Sequence, residues 1–299
     1  MSKNKALAYG NPLLDDIKKW ALQALFSDDA LLEELVLKGG NAMALVHRLS
    51  SRASIDLDFS MRHDFSEKLD AVAIRIEQSL IETFHANGYA VFDFNMAEKP
   101  DSISPELASF WGGYDIKFKL IGNKVFEAHR GSLETLRRQA IMIGQGSKFE
   151  IDISRFEYTE GKQEADVGGY RIYVYSPAMI VCEKLRAICQ QMPEYGPIIK
   201  RARPGGARAR DFVDIHLLVT ERNLDLLQDT EQTMLRQMFA LKRVPLSFLG
   251  HMARYRDFHR ADFRAVQNTV TAETQLKSFD FYFDFTLALV KRLEPIWNV

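Results

Sequence analysis

Cys182 and Cys189 are the only cysteines in 299 residues. So few exclude a disulfide-stapled scaffold and a cysteine-rich zinc site. They lie seven apart, a helical spacing, and are expected to act as small core residues. No apolar run approaches the ~18 residues needed to cross a membrane. Met1 to Asp16 lacks the apolar segment of a secretory signal, so a cytoplasmic protein with no membrane partner is expected. Neither sign of charge is in excess: 39 Lys plus Arg stand against 40 Asp plus Glu, for a net charge of −1. A uniformly basic nucleic-acid binder is thereby excluded, although a local basic patch is not. GxGxxG, P-loop and HExxH patterns are absent, as are metal-ligand spacing among the seven histidines, internal repeats and low-complexity tracts.

What the chain does have is ordinary globular composition, 46% hydrophobic and 26% charged, ample to bury a core. Its length suggests about two domains. Leu13, Leu14, Ile17, Trp20, Ala21, Ala24 and Leu25 recur at helical spacing after Asn11-Pro12, a start signal. Asp29 to Leu35 and Asn41 to Leu49 also read as helical. Helical spacing returns from Phe65 to His85, where Asn87-Gly88 stops it. Strands are predicted at Ser54–Ser60, Tyr89–Asn95, Tyr114–Leu120, Lys148–Ser154 and Tyr170–Tyr175. From Ser176-Pro177, an N-cap followed by proline at the first helical position, helices take over. Residues 193–206, rich in Pro, Gly, Lys and Arg, read as a mobile loop. This order predicts an α/β or α+β domain over 1–175 followed by an α-helical domain over 176–299.

Asp56-Leu57-Asp58 is the strongest chemical signal. Residues two apart in a strand share a face, with Cα atoms about 6.6 Å apart, and paired carboxylates can hold divalent metal ions for phosphoryl transfer. Upstream, Lys38-Gly39-Gly40-Asn41 sits where a short apolar stretch gives way to a helix. Glycines there let backbone N–H groups approach a phosphate at a helix N-terminus. A third carboxylate is sought in Phe149-Glu150-Ile151-Asp152-Ile153, where Glu150 and Asp152 share a face. Asp152, flanked by two isoleucines, is the preferred candidate.

A second constellation lies in the helical part. At 100° per residue, Lys184 falls between Ile180 and Ile188, while Glu183, Arg186 and Gln190 occupy another arc. Asp211 falls between Ile215 and Leu218, with Asp214 nearer the polar edge. A charge inside an apolar arc is costly without a partner, so a Lys184–Asp211 pair between two packed helices is expected. It is either a structural ion pair or a lysine held to meet a triphosphate. Between these helices, residues 200–210 carry five basic residues in eleven. That loop suits RNA or NTP phosphates, or is simply solvated.

Lys38-Gly39-Gly40-Asn41-Ala42, then Arg52-x-Ser54-x-Asp56-Leu57-Asp58-Phe59, Glu183-Lys184-Leu185-x-Ala187 and Arg210-Asp211-Phe212-x-Asp214-Ile215 together resemble the AbiEii/AbiGii toxin family of polymerase-β-like nucleotidyltransferases. The resemblance spans residues 30–220. It implies an α+β fold of two lobes, a mixed nucleotidyltransferase sheet and a helical lobe, with the active site between them. It implies NTP as substrate with Mg²⁺, or Mn²⁺ in its place. It further implies an RNA acceptor such as the 3′ end of tRNA, and a cognate antitoxin in a toxin–antitoxin or phage-defence pair. On this chain Asp56, Asp58 and Asp152 would be the metal ligands, with Lys184 and Asp211 completing the catalytic set. Lys38, Gly39, Gly40, Asn41, Arg52, Ser54, Arg208 and Arg210 would bind substrate. Asn41 stands where relatives carry Ser or Thr, and the gap from Gly40 to Asp56 is longer than usual. Transfer of NMP to a protein or small molecule, or a non-catalytic nucleotide-binding module, are the alternative expectations.

Overall fold

The computed structural model of the protein describes residues 11–49, 55–144, 146–269 and 275–298. Helix α1 (Pro12–Phe26) starts where Asn11 Oδ1 accepts from Leu13 N, with Pro12 at the first position. Helix α2 (Asp29–Glu34) leads into strand β1 (Val36–Lys38). After β1 come a single turn, α3 (Gly39–Asn41), and a π-helical turn over Ala42–Val46. Strand β2 (Leu57–Ser60) and helix α4 (Leu69–Ala86) follow. Val72, Ile76, Leu80 and Phe84 form one fully buried stripe of α4, spaced four residues apart.

Strands β3 (Tyr89–Lys99), β4 (Gly113–Gly122) and β5 (Phe149–Ser154) flank short helices α5 (Pro105–Ala108), α6 (Asn123–His129) and α7 (Leu133–Gln139). Strands β6 (Gln163–Val167) and β7 (Tyr170–Val174) close the sheet. Then come α8 (Pro177–Cys189), α9 (Ala209–Glu221), α10 (Asp229–Leu241), α11 (Arg256–Arg260), α12 (Phe263–Gln267), α13 (Phe279–Arg292) and α14 (Glu294–Trp297). Among the described residues no helix is long and apolar enough to cross a membrane.

The seven strands run in the order β3-β4-β5-β2-β1-β7-β6. β2/β5 and β1/β7 are parallel pairs and the others are antiparallel. The fold is thus α+β with a mixed sheet, as expected. Register separates the two faces of that sheet. Leu57 and Phe59 of β2 align with Ile151 and Ile153 of β5, which align with Ile116 and Tyr114 of β4. All six are buried, and this apolar face packs through Phe59 against Phe26 of α1 and through Phe118 against Phe84 of α4. The residues between them, Asp58, Asp152 and Asp115, occupy the opposite, polar face.

Several elements differ from the sequence expectation. Strand β6 was not foreseen: Gln163, Glu164 and Asp166 are exposed on an edge, so no apolar alternation marks it. The expected strand over Ser54–Ser60 is shorter, and Asp56 lies just outside it in a bend. The 193–206 segment is more ordered in its contacts than a solvated loop. Pro193–Ile199 forms a 3₁₀ helix, and Arg201 donates to Gln190 O and Gly206 N to Gln191 Oε1.

Both cysteines are fully buried in the core, and burial pushes their thiols up, Cys182 to about 12. Lys184 is buried between α8 and α9, its Nζ 2.9 Å from Asp211 Oδ1 and 2.7 Å from Asp214 Oδ2. Asp214 is therefore not at a polar edge. It is 1% exposed, because three residues on from Asp211 it shares the helix face that meets Lys184 of α8. Removing one partner of a buried pair strands the others. Lys184→Met is expected to lower the free energy of urea unfolding by about 3–5 kcal/mol at pH 7; a loss under ~1 kcal/mol would contradict this account.

Candidate active site

The polar face of the sheet carries a row set entirely by register. Lys38 of β1 aligns with Asp58 of β2, Asp58 with Asp152 of β5, and Asp152 with Asp115 of β4. Neighbouring strands stand about 4.8 Å apart, so these side chains rise side by side. Gly39, directly after Lys38, has φ +67, and a Cβ there would fall 2.8 Å from Asp58 Oδ2. Only glycine lets the turn approach that carboxylate with a left-handed backbone.

A cavity of about 610 Å³ opens above this row, within the range of small-molecule sites. Lys38, Gly39, Gly40, Asp58 and Asp152 line it from the sheet, and Lys184, Arg208, Arg210 and Asp211 from the helical part. Nine of the expected site residues thus meet in one cavity. Asn41 and Asp56 do not line it. Asn41 is buried, and its Nδ2 donates to Asp56 O at 2.6 Å, bracing the turn against the segment before β2. Arg52 and Ser54 lie outside the described residues.

Charge in the cavity is buried and paired. Burial works against the ammonium of Lys38, but Glu183 and Glu157 outweigh it and raise its pKa; Nζ lies 3.4 Å from Glu183 and donates to Ser154 Oγ at 3.1 Å. Burial likewise opposes ionisation of Glu157, yet Arg186, Lys242 and Lys38 hold it down at about 2. Lys242 itself is lowered to about 8, mainly by burial. Asp211 is held well below the usual carboxylate range because Arg208 and Lys184 outweigh its burial. Asp58 goes the other way. Burial, and beyond it Glu183, Asp152 and Asp56, push it up to about 6 although Lys38 opposes them.

Glu157, Glu183, Arg186, Lys242, Lys99 and Trp111 also line the cavity, and none was singled out from the sequence as a site residue. For Glu157 and Lys242, separated by 85 positions, nothing local signals the pairing. Trp111-Gly112-Gly113 did carry a signal: a Gly-Gly pair at a strand start. At Gly113 a Cβ would lie 2.0 Å from Ile153 O, so β4 can start here only as glycine.

As positioned, no three His, Cys, Asp or Glu side chains among the described residues are close enough to hold a metal ion. Asp152 is bonded to Lys99 Nζ instead. The donor chemistry nonetheless fits a hard divalent cation: neighbouring carboxylates in register, one of them raised by burial and like charge, which a cation would relieve. Asp58 and Asp152, with Asp56 beside them, are the residues that would hold it.

A family model for the nucleotidyl transferase AbiEii toxin of type IV toxin–antitoxin systems matches residues 20–285. The chain belongs to the AbiEii family. Among curated proteins nothing matches it. Among solved structures, JHP933 from Helicobacter pylori is similar at 16% identity and a TM-score of 0.51, covering 97% of this chain and 96% of that one. That likeness shows a shared fold. A second Helicobacter pylori structure has 14% identity and a TM-score of 0.49 over 98% of both chains. An antigenic nucleotidyltransferase-like protein from Paracoccidioides brasiliensis has 16% identity and 0.36, covering 81% of this chain and 93% of that one.

The raised pKa of Asp58 makes stability depend on pH. Below the unfolded value of 3.8 both states are protonated and the site carries no penalty. Between 3.8 and about 6 the native state keeps the proton that the unfolded state loses, so ionisation destabilises the fold increasingly up to pH ~6. In chelator, Asp58→Asn is expected to exceed wild type by ~1–2 kcal/mol at pH 7.5, with the gap closing toward pH 4.5. An equal gap at both values in urea melts would contradict the assignment.

Proposed function

We propose that this AbiEii family member transfers an NMP unit from an NTP to a hydroxyl of RNA, at the 3′ end of tRNA, and acts as a toxin held in check by a cognate antitoxin protein. The observation that carries this reading is the in-register Lys38, Asp58 and Asp152 row beside the Gly39-Gly40 turn, facing Lys184 and Arg208 across one cavity. Backbone N–H groups of a tight glycine turn suit a triphosphate, and cationic side chains opposite them suit its charge.

In the proposed reaction an acceptor oxygen forms a bond to the α-phosphorus. The bond from that phosphorus to the bridging oxygen of the β-phosphate breaks, and pyrophosphate leaves. The acceptor proton passes to a carboxylate, for which Asp152 is the candidate base. Lys38 and Arg208 offset the charge of the leaving pyrophosphate. A divalent cation such as Mg²⁺ or Mn²⁺, when bound, neutralises charge at the reacting phosphate and lowers the pKa of the acceptor hydroxyl. Lys184, gripped by two carboxylates, fixes the helix that presents Glu183 and Arg186 to the cavity.

The test is incorporation of α-labelled NTP into total tRNA and total protein. Asp58→Asn and Asp152→Asn should each lower transfer to tRNA by roughly two orders of magnitude or more. Full activity in either variant would overturn the site, and label appearing in protein alone would overturn the acceptor.

The basic loop is expected to bind the acceptor's phosphates. Arg203 is exposed, whereas Arg201 is tied to Gln190 O and Arg208 is bonded to Asp211. Arg203→Ala should therefore flatten the log–log salt dependence of RNA binding by about 0.7, without changing NTP binding. An unchanged slope would show that the loop does not contact RNA there.

A further inference from the structure

Phosphates account for the glycine-turn end of the cavity and leave another part of its wall without a role. Trp111, Gln190 and Lys242 form that part, joined to the row at Lys38 through the ion pairs Lys38–Glu183, Glu183–Arg186, Arg186–Glu157 and Glu157–Lys242. Trp111 is half-buried. Its backbone precedes the Gly113 contact that locks the start of β4. Its ring is backed by Tyr195 at 6.1 Å between centroids, and Lys242 Nζ lies 5.8 Å from its centre.

Gln190 is oriented by chemistry that leaves no alternative flip. The hydroxyl of Tyr195 has one proton, and it donates that proton to Lys242 O at 2.6 Å. Toward Gln190 the same oxygen can only accept, so Nε2 must face it, at 3.3 Å. Oε1, on a residue that lines the cavity, is then left as an acceptor, with no hydrogen bond given to it among the described residues. The backbone behind it is pinned by Arg201, which donates to Gln190 O at 3.0 Å.

A half-open indole and one fixed acceptor are what a planar heterocycle needs: a π-face to stack on and a partner for an N–H at its edge. We propose that Trp111 and Gln190 form the nucleobase subsite of the incoming NTP. Trp111 stacks on the base, and Gln190 Oε1 accepts from a ring N–H or exocyclic amino group. The subsite rests on the nucleotidyl-transfer reading and deepens it, assigning base selection to residues outside the Gly-Gly and carboxylate motifs.

The experiment compares equilibrium binding of the four NTPs with binding of inorganic tripolyphosphate, which has no base. Wild type should bind at least one NTP more tightly than tripolyphosphate. Trp111→Ala should weaken NTP binding about tenfold, equivalent to ~1.4 kcal/mol, while tripolyphosphate affinity, a check on folding, stays unchanged. Trp111→Phe should recover most of the loss. Gln190→Leu should narrow the differences among the four NTPs without affecting tripolyphosphate. Unchanged NTP-to-tripolyphosphate ratios in both Trp111→Ala and Gln190→Leu would overturn the subsite and leave the phosphate site standing. A wild type that binds neither probe would overturn the nucleotidyl-transfer reading and the subsite with it.

Discussion

The alignment of Lys38 with Asp58, and of Asp58 with Asp152, is the constraint on which the rest of the cavity depends. A strand has a side-chain period of two, so a slip of one residue in β2 would turn Asp58 into the core and Leu57 or Phe59 out of it. The apolar face prevents this. Leu57, Phe59, Ile151 and Ile153 are all buried against the helical layer of α1 and α4, so hydrophobic burial on one side of the sheet fixes the carboxylates on the other. Gly39 then depends on that register. Its turn approaches Asp58 so closely that the carboxylate and the glycine position each other.

Burial of so much charge is costly unless it is paired. Lys38, Lys184, Arg186 and Lys242 are buried cations around one cavity, and Glu157, Asp211 and Asp214 are buried anions among them. A fold under selection for stability alone would gain by replacing many of these groups with apolar ones. What the ionic arrangement provides is a fixed field. Lys38 bonds Ser154 of the sheet and pairs with Glu183 of α8, and Lys242 donates to Phe110 O and Arg155 O while pairing with Glu157. Sheet and helices are therefore held in one relation by the same groups that face the cavity.

Much of this was legible locally. The alternation of Phe149-Glu150-Ile151-Asp152-Ile153 places Asp152 on the polar face, where it is found, and the wheel positions of Lys184 and Asp211 lead to the pair that forms. Periodicity carries such information because each residue's direction follows from its own element. It fails where an element is covered from two sides or where the partner is remote. Asp214 looks peripheral on its wheel but is enclosed by packing. Glu157 and Lys242 become neighbours only when the chain after α10 returns to the sheet. Trp111 sits beside a glycine pair as informative as Gly39-Gly40, but no carboxylate pattern follows it to draw notice. Strand β6, polar and at an edge, has no hydrophobic signature to read.

The segment after the last motif shows how far the site's support extends. Arg208 opens α9 and bonds Asp211, which also binds Lys184. Its backbone N–H donates to Nδ1 of His259 in α11 at 3.1 Å. A buried histidine can accept there only as the neutral imidazole, and burial lowers its pKa to about 4, so that form holds throughout the physiological range. Phe212 packs against the His259 ring and against Phe279, edge-on, and Phe283 of α13. Residues beyond 220, which carry no chemical motif, thereby set the position of a cationic side chain at the cavity. The helical part is as much a component of the site as the sheet: the sheet places the carboxylates by register, and the helices place the cations by packing.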